Sequence, residues 1–78
     1  MIKIEKFAEQ MQIELEENSH KGNWENFKDT NEIDIELEYH LTKLRLSVKQ
    51  KDKERIKEYI ADCANLLLML GNSYELYE

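Results

Sequence analysis

Proline is absent from this 78-residue chain, and glycine occurs only at Gly22 and Gly71. Nothing therefore interrupts long helices, and the two glycines fall where helices can end. A single cysteine, Cys63, excludes an intrachain disulfide, and no Cys/His group has the spacing of a zinc site. A chain of this length with neither staple is marginal by itself. Self-association is the remedy left.

Basic residues are also scarce, with 11 Lys and Arg against 17 Asp and Glu for a net charge of -6. A non-specific grip on nucleic acid needs basic surface to displace counterions, so that function is excluded. A small nucleotide in a local pocket is not. Long hydrophobic runs are missing too: the stretch Ile60 to Leu70 is broken by Asp62 and Asn65 and is too short for a bilayer. MIKIEKFAEQ mixes charge and apolar residues too evenly for a signal peptide. A cytoplasmic protein with no membrane partner is expected, in a compartment that keeps a lone thiol reduced.

What remains is helical periodicity over one domain, residues 1–78. Ile4, Phe7, Met11 and Leu15 predict a first helix from about Ile2 to Asn18. The polar stretch SHKGNWENFKDT follows, with Trp24 and Phe27 arguing for an ordered loop rather than a free linker. A second helix is predicted from near Asn31, capped by Asp29 with Glu32 in capping-box position and striped by Ile33, Leu37, Leu41, Leu44 and Val48. Its charge runs from acidic (Glu32, Asp34, Glu36, Glu38) to basic (Lys43, Arg45, Lys49, Lys51), as the helix dipole favours.

The third helix follows a tight connection at residues 50–53, with Asp52 as N-cap. Ile56, Ile60, Cys63, Leu67 and Leu70 form its stripe, widened by Ala64, Leu66, Leu68 and Met69. So wide a stripe implies burial on two sides, the second against another copy of the chain. The short connection demands an antiparallel hairpin, in which residues whose numbers sum to roughly 102 lie at one height. His40 then stands level with Asp62, and Lys43 with Tyr59.

Asp62 lies in the most apolar part of the third helix, where an unpaired carboxylate is costly. Two readings are open: it faces solvent or pairs with Lys43, or it serves a ligand. Asn65 shares its face and can donate to the same ligand. Glu54, Glu58 and Asp62 are spaced by four, as are Glu32, Glu36 and His40. Such columns are commonly solvated faces, but Glu36 and Glu58 with Asp62 can also hold a divalent cation. The loop His20-Lys21-Gly22-Asn23-Trp24 either plugs the end of the hairpin with its indole or stacks that indole on a base beside positive charge.

EENSHKGNWEN, EYHLTKLRLSV, a short charged turn and IKEYIADCANLLLML, in that order, resemble the small MazG-like proteins of phages and prophages. These are relatives of the all-α nucleoside triphosphate pyrophosphohydrolases. The resemblance runs from about Phe7 to Met69 and is sharpest at IADCANLLLML. It implies an all-α fold, an N-terminal helix plus an antiparallel helical hairpin, in a MazG-like bundle completed by homo-oligomerisation. It also implies a site for nucleotide phosphates between the hairpin helices and, in active members, magnesium-dependent hydrolysis to monophosphate and pyrophosphate.

The chain departs from that pattern at the metal ligands. Where active members carry Glu-x-x-Glu and Glu-x-x-Asp, it reads His40-x-x-Lys43 and Tyr59-x-x-Asp62. Magnesium prefers oxygen to imidazole, and a lysine opposite Asp62 repels a metal. Unit charges about 4 Å apart interact by on the order of 4 kcal/mol at an effective dielectric near 20. The resemblance therefore implies a nucleotide-binding protein with lost or weak hydrolysis, its ligand held by His20, Lys21, Trp24, His40, Lys43, Tyr59, Asp62 and Asn65 with or without Mg²⁺. Sequestration of a nucleotide suits the phage setting. Two alternatives stand beside it. One is an active enzyme with a rearranged site, in which Glu36, Glu58 and Asp62 hold Mg²⁺ and His40 is general base. The other is a purely structural oligomer with a buried Lys43–Asp62 pair.

Overall fold

The turn after Val48 sets the geometry on which the site depends. A computed structural model of the chain describes residues 3–17 and 30–78, and these form three helices: α1 (Ile4–Glu17), α2 (Thr30–Gln50) and α3 (Lys53–Ser73). No strand occurs among the described residues. At the end of α2 the Asp52 amide donates to the Ser47 carbonyl and the Lys51 amide to that of Val48, each at 3.1 Å. Lys51 takes the left-handed conformation that this closure requires, with φ of 58°. Asp52 then caps α3 as its sequence predicts, its carboxylate accepting from the Arg55 amide at 3.2 Å. Two 21-residue helices leave this turn as a hairpin.

The core is small. Ile33, Tyr59, Ala61, Cys63 and Leu66 are its buried apolar residues, and Ile33 is 1% exposed. Burying a side chain of that size contributes roughly 2 to 3 kcal/mol. The stripe predicted for α2 holds at Ile33, Leu37, Leu41 and Leu44 and rotates only at its end, where Ser47 is buried and Val48 is 55% exposed. Ser47 tolerates this because its hydroxyl donates to the Lys43 carbonyl at 2.9 Å, leaving no unpaired polar group. On α3, Tyr59, Cys63 and Leu66 face inward, while Ile60 and Leu67 of the predicted stripe are exposed.

The first helix packs on α3, not into the hairpin groove. Asn65, 4% exposed, donates its side-chain amide to the Met11 carbonyl at 3.0 Å, tying the two helices together. Glu14, one turn further along α1, meets Glu58 and Asp62 of α3. Met11 and Leu15 are partly covered, but Ile4 and Phe7 remain exposed beside a groove.

At its far end α3 continues through Gly71 to Ser73, past the glycine expected to stop it. Termination falls to Glu75, left-handed with φ of 59°, with the Leu76 amide donating to the Gly71 carbonyl and the Glu75 amide to that of Asn72. Gly71 serves close approach instead, since a Cβ there would lie 2.5 Å from the Tyr77 ring. Among the described residues no helix is long and apolar enough to cross a membrane.

Candidate functional site

The hairpin register predicted from chain arithmetic appears at both levels. His40 Nδ1 lies 3.8 Å from an Asp62 carboxylate oxygen, and Lys43 Nζ lies 4.8 Å from the centre of the Tyr59 ring. Lys43 does not pair with Asp62, however. Its ammonium also sits 4.8 Å from the centre of the Tyr39 ring, so it is held between two aromatic faces. Ring quadrupoles attract a cation there by about 0.5 to 2 kcal/mol, depending on desolvation. The Tyr59 hydroxyl is engaged in turn, accepting from Arg55 Nη1 at 3.1 Å.

Freed of the lysine, Asp62 joins carboxylates. One oxygen each from Glu14, Glu58 and Asp62 lies within 4.8 Å of the others. Glu14, 5% exposed, is the most enclosed of the three. Burial first, then repulsion from Asp62, Glu58 and Glu17, pushes its pKa above the ordinary glutamate value, while a hydrogen bond from Gln10 at 3.1 Å opposes the shift. The donor set suits a hard divalent cation.

Glu14 and Glu58 of this cluster open into a cleft of about 340 Å³ between α1 and α3, lined also by Glu17, Glu54, Arg55 and Lys57. Acids and the cations Arg55 and Lys57 therefore line it together. On the opposite face of Asp62, His40 links the cluster to α2, with Nε2 3.6 Å from Glu36. Glu36, Asp62 and His40 meet at ion-pair distance, and the buried His40 Nδ1 makes no hydrogen bond.

The structure thus brings together Glu58, Asp62 and His40 from the sequence-predicted residues, with Glu36 on the outer side of His40 rather than among the clustered carboxylates. Tyr59 and Lys43 form a neighbouring pair, and Asn65 is spent on the α1 backbone, its Oδ1 buried without a partner. His20, Lys21 and Trp24 lie outside the described residues. Cys63 is buried, and burial followed by the nearby Asp62 charge raises its thiol pKa, which makes it a poor nucleophile. Sequence reasoning missed Glu14, Arg55 and Lys57. Glu14 flanks the apolar stripe of α1, but its meeting with Asp62 depends on how α1 docks, and no short turn fixes that. Comparison of the chain with protein-family models, curated proteins and solved structures finds no match.

Proposed function

We propose that this chain is a nucleotide-binding protein of the MazG-like kind, which holds the phosphates of a nucleoside triphosphate through a divalent cation on Glu14, Glu58 and Asp62. The convergence of those three carboxylates, two of which line a cleft that also presents Arg55 and Lys57, carries the reading. A cation bound there supplies positive charge that phosphate oxygens can share with the protein. Glu14, Glu58 and Asp62 orient that charge, and Arg55 and Lys57 meet the outer phosphates. His40, 3.8 Å from Asp62, sets the side of the site that faces α2. A second copy of the chain covers the apolar surface that a single one leaves open. Sequestration, not turnover, is the favoured use, because a single three-carboxylate site is less than the four-carboxylate pattern of active relatives.

Calorimetric titration of ATP and dATP tests this. Binding is expected with Mg²⁺ and is expected to weaken at least tenfold in EDTA; failure to bind any of a full nucleotide panel contradicts it. A second reading, slow hydrolysis, is favoured by Glu14, which returns a carboxylate to a site that His40 and Lys43 had depleted. Pyrophosphate release with Mg²⁺ or Mn²⁺, lost on Asp62→Ala, supports hydrolysis; no turnover at high protein concentration rules it out.

A further inference from the structure

The surface of α3 that faces away from both other helices is apolar along its length. Ile60 is 38% exposed, Leu67 53% and Leu68 41%, with the small Ala64 between them. Spacings of four, three and one place these residues on a single face. Toward the start of α3 this face broadens into a groove of about 740 Å³, floored by Ile4, Phe7, Ile56 and Ile60. Its charged lining is basic throughout: Lys3, Lys6, Lys53 and Lys57. Lys6 also approaches Glu9 at 3.9 Å, and both are well exposed. Toward the end of α3 the same rod carries the opposite chemistry. Tyr74, Leu76 and Tyr77 are each about two-thirds exposed, alternating with Glu75 and Glu78.

We infer that two copies of the chain pair through this face, α3 against α3 antiparallel about a twofold axis at Ala64, with the aromatic acidic tail of each copy in the lysine-rimmed groove of the other. The inference rests on the self-association proposed above and assigns it a surface and a register. With the axis at Ala64, residues whose numbers sum to 128 stand opposite. Ile60 meets Leu68, and Lys53 comes level with Glu75. The closing turn at the end of α3 holds the tail at the height of the last helical turn, because the Leu76 amide bonds back to the Gly71 carbonyl. Glu75 and Glu78 therefore face the stretch from Lys53 to Lys57.

Charge selects this arrangement from the alternatives. Groove against groove opposes four lysines to four lysines, and a parallel pair sets tail against tail. Only the antiparallel pair matches acid with base twice, as a twofold interface requires. A chain's own tail cannot fill its own groove, because the two lie at opposite ends of a helix about 30 Å long. Alanine at the axis lets the two helices approach closely.

Sedimentation of the full chain, with site-specific cross-linking, tests the inference. A dimer is expected, and Ala64→Cys is expected to form a disulfide-linked dimer under mild oxidation, whereas the wild type, whose Cys63 is buried, does not. Lys53→Glu and Glu75→Lys are each expected to weaken the dimer about tenfold, since every substitution is felt twice across the axis. The two together are expected to restore it. A dimer without Ala64→Cys cross-linking or charge-swap rescue overturns the register while leaving self-association intact. A monomer at 0.1 mM overturns both.

Discussion

The two edges of the α1–α3 seam carry opposite kinds of unfinished business. At one edge Glu14, Glu17, Glu54, Glu58 and Asp62 crowd together, and at the other Ile4, Phe7, Ile56 and Ile60 face an open groove rimmed by lysines. The hairpin interior shows neither feature: Ile33, Cys63 and Leu66 are buried, and Lys43 is satisfied by two rings. The contrast supports the two proposals made above, a cation at the first edge and a second copy of the chain at the second.

The largest effect expected is at the apolar edge. Replacing Leu67 with Asp sets a charge into the proposed interface, where an unpaired charge costs several kcal/mol. Dimerisation is expected to be lost by sedimentation, while helical content at high protein concentration is preserved. Loss of the fold itself would mean that Leu67 belongs to the core of one chain.

At the acidic edge the expected change has the opposite sign. Glu14→Gln keeps the shape and removes one repelling charge, so at pH 7.5 in EDTA it is expected to raise Tm, by roughly 5 °C if it is worth about 1 kcal/mol. The same variant is expected to lose any stabilisation by Mg²⁺. The sign follows from linkage. Glu14 binds its proton more tightly folded than unfolded, so stability is greatest below the unfolded carboxylate pKa. It falls as pH rises from there through the raised folded value. Thermal scans in EDTA between pH 4 and 8 are expected to show this decline in the wild type, shallower in Glu14→Gln and shallower again with Mg²⁺. An identical slope in both proteins would remove Glu14 as the source.

Lys43→Met probes the satisfied interior as a reference for both edges. It is expected to cost about 1 kcal/mol in thermal stability, the size of a partly desolvated cation–π contact. It should leave metal binding unchanged, because Lys43 lies on Tyr39 and Tyr59 and not on Asp62. The smallest effect is expected at the hairpin turn. Lys51→Gly relieves a left-handed residue and is expected to stabilise by roughly 0.5 to 1 kcal/mol, readable in a denaturant midpoint.

How much of this was legible in sequence depended on how local its causes are. Asp52 as a cap and the level pairing of His40 with Asp62 follow from one short turn, and both appear. The rotation that buries Ser47 in place of Val48 did not follow, because apolar spacing alone does not register a small residue whose hydroxyl is satisfied by its own helix. Gly71 misled for a related reason: its missing Cβ makes room for Tyr77, and the left-handed stop is carried by Glu75. Of the candidate site, the α3 acids were legible from their column of four. Their partner on α1 was not, since the docking of α1 is decided by packing and by the Asn65 tie to Met11. The assignment of Lys43 to Asp62 neglected two tyrosines within equal reach.

Titration of Mn²⁺ into the full chain at pH 7.5, followed by loss of the free-ion paramagnetic resonance signal, tests the central claim most directly. One ion bound per chain, abolished by Glu14→Gln and by Asp62→Asn but retained in Lys43→Met, is the predicted result. A free-ion signal that grows in proportion to added Mn²⁺ from the first addition, with protein in excess, would contradict it.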